Sequence, residues 1–368
     1  MGHIIDFLDV PPSSHSSSVG DSHSHVLFLG MSKSGKSTLK SLISSSTQMK
    51  SAFGLDYSVS RKAIMNTVHK THFWEFGFSA SSKSDYDLLH TLLSRTITPD
   101  NLLNLSVVIT FTLPDLNASE SNTAASPKPL FNLIRLLHLV KTRIRSVTKS
   151  LSDDQKKILS DRIHRGPSYW SPETDNCGIP IFLIGSFFLP FDSVVGSPRT
   201  ALVRSYRYLA HTEGCSLFFC DFFPESHQEL QTNVSVLAHT LKALISGRTV
   251  RPVKSILSDD SPVLVLSGSD SMSEIGTISD SSLAESARKE LRNSLPWNDG
   301  LRNWIGGLMN IFSGYQNSFS KGEVAVPLEM LDDVPEQFKI SQKGVDDRIR
   351  VFLSDLKDQI GFDSVVIG

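Results

Sequence analysis

Val26-Leu-Phe-Leu-Gly30-Met-Ser-Lys-Ser-Gly35-Lys36-Ser37-Thr38 is the segment from which the rest of the chain can be read. Four apolar residues run into Gly30, and Gly30 to Ser37 satisfies G-x-x-x-x-G-K-[ST] in full. At a typical glycine usage of about 7%, a chance match is expected in about one chain in a hundred of this length. Leu39, Leu42 and Ile43 then recur at helical spacing, so the segment predicts a strand, a tight loop and a helix in succession. A triphosphate has to be wrapped by backbone N–H groups, and glycine lets the chain curl that tightly without a Cβ clash. Gly30 and Gly35 serve the curl, while Ser32, Lys33, Ser34 and Thr38 complete the expected nucleotide-binding set. Lys36 would set its ammonium against the outer phosphate oxygens, and Ser37 would offer its hydroxyl to Mg²⁺ when a metal–nucleotide complex is bound. GTP, GDP or ATP with Mg²⁺ are the cofactors the motif admits. The alternative is a loop kept only as a strand-to-helix connector.

Outward from this segment, short apolar runs alternate with helical patterns. Strands are expected at His72–Glu75, Ser106–Phe111, Ile179–Ile184, Ser216–Cys220 and, late in the chain, Pro262–Leu266. Helices are expected near Asp85–Leu93, Leu130–Leu151, Arg199–His211 and Gln228–Leu244. Continuous apolar strands separated by helices require a mostly parallel sheet covered on both faces, which is an α/β fold. Residues 11–25 are small and polar, so the first ordered element is expected near His25.

Composition narrows the class. The 368 residues carry 36 Lys+Arg against 38 Asp+Glu without a block of like charge, which argues against a nucleic-acid partner. Three cysteines at irregular spacing fit a reducing compartment and neither a disulfide framework nor a zinc site. The longest apolar stretches, such as Ile179–Phe191, fall short of the ~20 residues of a membrane span. Gly2 invites myristoylation, but Asp6 stands where that motif wants Ser or Thr.

A hydrolysing GTPase built on this loop needs Asp-x-x-Gly at the end of a neighbouring strand, with a water-orienting Gln after the Gly. The chain reads Trp74-Glu75-Phe76-Gly77-Phe78. Trp takes the Asp position, Phe replaces Gln, and Glu75, displaced by one residue, is expected on the opposite side of the strand. Two roles stay open for Glu75: a substitute acid at a metal, or a buried hydrogen-bonded carboxylate. A guanine reader of the Asn-Lys-x-Asp type is missing too, since its Lys and Asp positions hold Phe187 and Leu189, and Asp192 comes late.

Leu29-Gly-Met-Ser-Lys-Ser-Gly-Lys-Ser37, Gly54-Leu-Asp-Tyr57 with Arg61, His72-Phe-Trp-Glu-Phe-Gly77, Ile179-Pro-Ile-Phe-Leu-Ile-Gly-Ser186 and Pro262-Val-Leu-Val-Leu-Ser-Gly-Ser-Asp270 with Ile275-Gly276 together resemble the light intermediate chain family of cytoplasmic dynein 2. The likeness runs from about Val26 to Gly276. It implies a Ras-like P-loop domain at 26–280 that clasps the dynein 2 heavy chain. A flexible leader at 1–25 would precede it, and a helical segment at 281–320 and a C-terminal extension at 321–368 would follow. It further implies a non-catalytic subunit with degenerate nucleotide motifs. Its other partners would be further dynein 2 subunits and intraflagellar transport particles. It would reside in the cytoplasm, at the axoneme and basal body of the cilium or flagellum. Light intermediate chains of dynein 1 look similar but are generally longer, with a cargo-adaptor tail. Ala52 falls where the family has Thr, which argues against a metal-linked switch.

Three surfaces compete as partner sites. The helix at Leu130–Val147 is apolar around most of its circumference, so it is either a core helix or a heavy-chain contact. Phe187, Phe188 and Phe191 crowd one loop, either plugging the purine site or meeting a partner. In the tail, Val345, Ile349, Phe352 and Leu356 form a narrow seam that either docks on a partner or folds back on its own domain.

Overall fold

The computed structural model describes residues 22–31, 34–44, 55–64, 67–78, 83–114, 128–164, 174–186, 188, 191, 197–222, 228–246, 253–278 and 299–311. The tail seam at Val345, Ile349, Phe352 and Leu356 lies outside them, as do Ser32, Lys33, Ala52, Phe187, Leu189 and Asp192.

Among the described residues, seven strands form one sheet: β1 (Ser22–Met31), β2 (Leu55–Ile64), β3 (Thr67–Phe78), β4 (Leu105–Thr112), β5 (Ile181–Ser186), β6 (Ser216–Phe219) and β7 (Leu264–Val265). Their spatial order is β2-β3-β1-β4-β5-β6-β7. The four central pairings are parallel, whereas β2 runs antiparallel to β3 and β7 antiparallel to β6. The expected mostly parallel sheet is therefore present, edged on each side by one reversed strand.

Helices cover both faces. On one, α1 (Lys36–Ser44) and α6 (Gln228–Ile245) pack over Val26, Phe28, Phe73, Val108, Phe182 and Phe218, with Leu39, Ile43, Leu237 and Leu241 supplied by the helices. The other carries α2 (Lys83–Thr96), α3 (Lys128–Lys149) and α5 (Ser197–Thr212), where Tyr206 stacks on Phe111 with centroids 4.8 Å apart. Each such ring is worth about 1.5–3 kcal/mol of burial, which is why these runs form continuous strands without polar alternation. The apolar circumference of α3 is answered within the chain: Leu130, Phe131, Leu133, Ile134, Leu136, Leu137, Leu139, Val140 and Ile144 are all buried. It is a core helix.

The late run Pro262–Leu266 does return to the sheet, as β7, and a buried ion pair holds that excursion. Arg207 on α5 donates from Nε and Nη2 to the two carboxylate oxygens of Asp270, both at 2.8 Å, and from Nη1 to the carbonyl of Leu257. After it come the short helix α7 (Met272–Ile275) and then α8 (Asp299–Ile311), whose Trp304 stacks on Tyr208 at 4.1 Å and donates to Ser205 Oγ at 3.0 Å.

One sequence expectation needs correction, and two elements have no counterpart among the expected ones. The first strand opens at Ser22, upstream of His25, because the polar residues Ser22 to His25 pair with His69 to His72 of β3 through backbone and side-chain hydrogen bonds instead of apolar burial. Strand β2 and helix α4 (Asp153–His164) carry no apolar run and went unread: β2 is a half-buried edge, and α4 buries little beyond Leu159.

Candidate phosphate-binding site

β1 delivers Gly30 and Met31 at the carboxyl edge of the sheet, between Gly77 of β3 and Thr110 of β4. Gly30 has φ +150°, and a Cβ there would stand 2.2 Å from the Thr110 carbonyl oxygen. Gly35 has φ +86°, and its Cβ would stand 2.5 Å from the Phe222 ring. Both glycines are thus required by conformation and by space. Ser34 is fully buried, donating to the Met31 carbonyl at 2.7 Å and sharing a 2.5 Å hydrogen bond with Thr110 Oγ1. The first helical hydrogen bond of α1 follows at once, Leu39 N–H to Gly35 O at 3.0 Å. Strand, curl and helix N-terminus are therefore arranged as the motif requires, with Thr38 partly buried in the first turn.

Lys36 is only 5% exposed. Its ammonium donates to the carbonyls of Gly30 at 3.0 Å and Met31 at 2.6 Å, with Ser34 Oγ at 3.4 Å. Burial pulls its pKa down to about 8, against the opposing pull of the Glu75 carboxylate. A desolvated cation surrounded by neutral dipoles, at a helix N-terminus, is suited to an anion, so the residues present fit a phosphate.

Glu75 is not where the strand count put it. It lies on the α1 face of β3, 3% exposed, and its Oε1 accepts the Ser37 hydroxyl at 2.5 Å. Its Oε2 pairs with Lys40 Nζ at 2.8 Å, and Lys40 in turn donates to Asp56 of β2. Burial opposes the charge on Lys40, but its bonds to Asp56 and Glu75 outweigh that and raise its pKa. The opposite face of β3 carries Trp74, whose ring lies tilted against Tyr57 with centroids 4.3 Å apart. The α1 face of β3 buries Thr71, Phe73 and Glu75 while the other face is only partly buried, but each face mixes aromatic and polar residues, so residue character gave no cue to which one looks toward the loop.

Lys40, Asp56, Thr110 and Phe222 were missed as site residues. Lys40 follows Lys36 by one helical turn and Asp56 lies within the Gly54–Tyr57 match, so a charge pair was legible there; Thr110 and Phe222 are brought in by the sheet alone. The loop phenylalanines turn inward: Phe188 and Phe191 are buried, each about 6 Å from the Phe219 ring, with Arg199 over both. Among the described residues, no group of His, Cys, Asp and Glu could hold a metal by itself, and no helix is long and apolar enough to cross a membrane.

A strand, a glycine-hinged loop and a helix carrying a buried lysine, set in a sheet of order β2-β3-β1-β4-β5-β6, define a Ras-like P-loop α/β domain. Compared with known proteins, the chain is similar to cytoplasmic dynein 2 light intermediate chain 1 of Danio rerio (28% identical over 259 residues), Bos taurus (26% over 265) and Homo sapiens (26% over 259). Each match takes in 68% of this chain but 65–67% of the relative, so about two thirds of those proteins is spanned. The resemblance read from the sequence is therefore to light intermediate chains of dynein 2 in particular. No protein-family model matches. Among solved structures, the crystal structure of the dynein light intermediate chain's conserved domain superposes with a TM-score of 0.48 at 14% identity, covering 78% of this chain and 97% of that one. A Methanosarcina barkeri Roco2 fragment bound to GDP gives 0.31 at 11% identity, over 63% and 53%.

Proposed function

We propose that this chain is a non-catalytic light intermediate chain subunit of cytoplasmic dynein 2, binding and stabilising the heavy-chain tail for retrograde intraflagellar transport in the cilium or flagellum. The similarity to dynein 2 light intermediate chains over 68% of the chain carries this reading. The phosphate loop holds a guanine or adenine nucleotide statically, through Lys36 and the loop backbone, and serves the rigidity of the domain. Static holding is supported by Phe78 in place of a water-orienting Gln, since phosphoryl transfer to water needs that water placed in line. The tail seam at Val345, Ile349, Phe352 and Leu356 is the proposed docking element, and its spacing alone supports it.

Affinity purification of the tagged full-length protein from ciliated cells, followed by mass spectrometry of the co-eluting chains, tests the assignment. The dynein 2 heavy chain is expected in comparable amount to the bait; its absence from an eluate rich in bait would overturn the assignment. A second reading, an active P-loop NTPase switch, is favoured by one observation, the Glu75 carboxylate on Ser37. Phosphate release from GTP or ATP by the purified chain separates the two. Turnover that a partner stimulates would replace the static scaffold with the switch.

A further inference from the structure

We propose that Glu75 is the residue that positions Ser37 as a ligand for a divalent cation, so that the phosphate loop takes its nucleotide as a metal complex although the usual aspartate position holds Trp74. The inference rests on the reading of the loop as a nucleotide-phosphate holder.

The Ser37 hydroxyl has one proton and two lone pairs. Its proton is committed to Glu75 Oε1 at 2.5 Å, which leaves the lone pairs directed away from the carboxylate and makes the oxygen a better hard ligand. Glu75 is 3% exposed, and a carboxylate so placed needs a fixed counter-charge to remain ionised. Lys40 supplies it at 2.8 Å and is itself clamped by Asp56 from the edge strand. Four side chains from α1, β2 and β3 thus form one polar chain that ends on the serine of the motif. An aspartate at position 74 would point, as Trp74 does, to the face away from α1, whereas Glu75 enters from the α1 face and meets the Ser37 hydroxyl directly. Orienting a ligand through its own proton is the usual work of the outer shell of a metal site, and removing such a partner typically costs about 10–100-fold in metal affinity. Nothing in this chain of contacts positions water, so metal-dependent binding without turnover is the expected behaviour.

The test is equilibrium binding of GDP and of ADP to the full-length protein, in excess Mg²⁺ and in excess EDTA. Wild type is expected to bind at least one of them about 10-fold or more tightly with Mg²⁺. Glu75→Gln is expected to lose that Mg²⁺ enhancement while keeping the affinity measured in EDTA. Ser37→Ala should show the same loss, and the double variant should lose no more than Ser37→Ala alone, because Glu75 acts through Ser37. Thermal melting of each variant identifies any that fails to fold, and Glu75→Asp then provides a second, still anionic probe in which partial enhancement should return. Equal wild-type affinity in Mg²⁺ and EDTA would overturn the inference and leave nucleotide holding intact. Binding of neither nucleotide in either buffer would overturn both. Additive losses in the double variant would mean that Glu75 acts on the fold and not on the serine, and would also overturn it.

Discussion

Gly35 concentrates two constraints at one residue. Its φ of +86° strains any residue with a Cβ, and the Phe222 ring occupies the space a Cβ would take. Gly35→Ala is expected to cost about 2–4 kcal/mol, part strain and part collision, read as a lowered urea midpoint at unchanged slope. Phe222→Ala in the Gly35→Ala background should return the collision part and leave about 1–2 kcal/mol of strain. No recovery would mean that the ring is not the obstacle. The glycines, Lys36 and Ser37 were legible because the motif fixes residue type by chemistry that acts within a single loop. Glu75 was legible only as an acid near the right place. Its side of the strand follows from the pairing Phe28↔Glu75 and from Lys40 waiting on α1, neither of which a local pattern contains.

Among the elements, those with apolar runs or stripes were legible: β1, β3, β4, β5, β6 and β7, with α1, α2, α3, α5 and α6. The edge strand β2, with Val59 at 41% exposure and charged residues at Arg61 and Lys62, lacks the burial that produces such a run. β7 is two residues long, and its apolar run was legible, but its hold beside β6 is reinforced by an arginine far from it in sequence. That arginine is Arg207, paired with Asp270, both side chains 2% exposed. Asp270→Ala leaves the buried guanidinium with only Asp259, 3.6 Å away, and the Leu257 carbonyl as partners and is expected to cost about 2–3 kcal/mol. Hydrogen exchange should quicken first at Ile256 and Leu264, whose backbone bonds pin the excursion. Pairing Arg207→Met with Asp270→Leu should recover part of the loss, since it removes the underpaired guanidinium while Asp259 keeps Arg204 as its partner. If Asp270→Ala melts with wild type, the pair contributes no net stability to the excursion.

At the scale of the whole molecule, a histidine ladder where β1 and β3 begin is expected to be the main contributor to lost stability at mildly acidic pH, with His90, also lowered by burial, adding to it. His25 stacks on His72 at 4.6 Å, His23 shares a 3.0 Å hydrogen bond with His72, and Tyr57 O–H lies 2.7 Å from His72 Nδ1. Lys70 adds to the repulsion on His72, and Lys62 of β2 pairs across from His69. Burial, then the neighbouring imidazoles of His72 and His23, push His25 down from 6.5 to about 4. Burial, followed by charged neighbours, lowers His72, and burial lowers His69 although its backbone partner at Ile245 opposes the shift. The folded state therefore holds these rings neutral while the unfolded chain takes up protons. Their contribution is fully present above pH 6.5 and is lost as pH falls toward about 4. Allowing for partial exposure, His25 accounts for on the order of 1–2 kcal/mol of that loss. Asp175 acts lower still: Lys141 and Arg145 outweigh the effect of burial and hold it below 3.8, so its contribution fades only beneath the histidine window. Urea midpoints taken through the acid range should fall from pH 6.5 to about 4 in wild type. His25→Phe, which keeps a ring on His72, should flatten that fall while leaving the midpoint at neutral pH near the wild-type value. An unchanged slope in His25→Phe would mean that the uncompensated protons bind elsewhere in the molecule, and that this end of the sheet is not what limits it in acid.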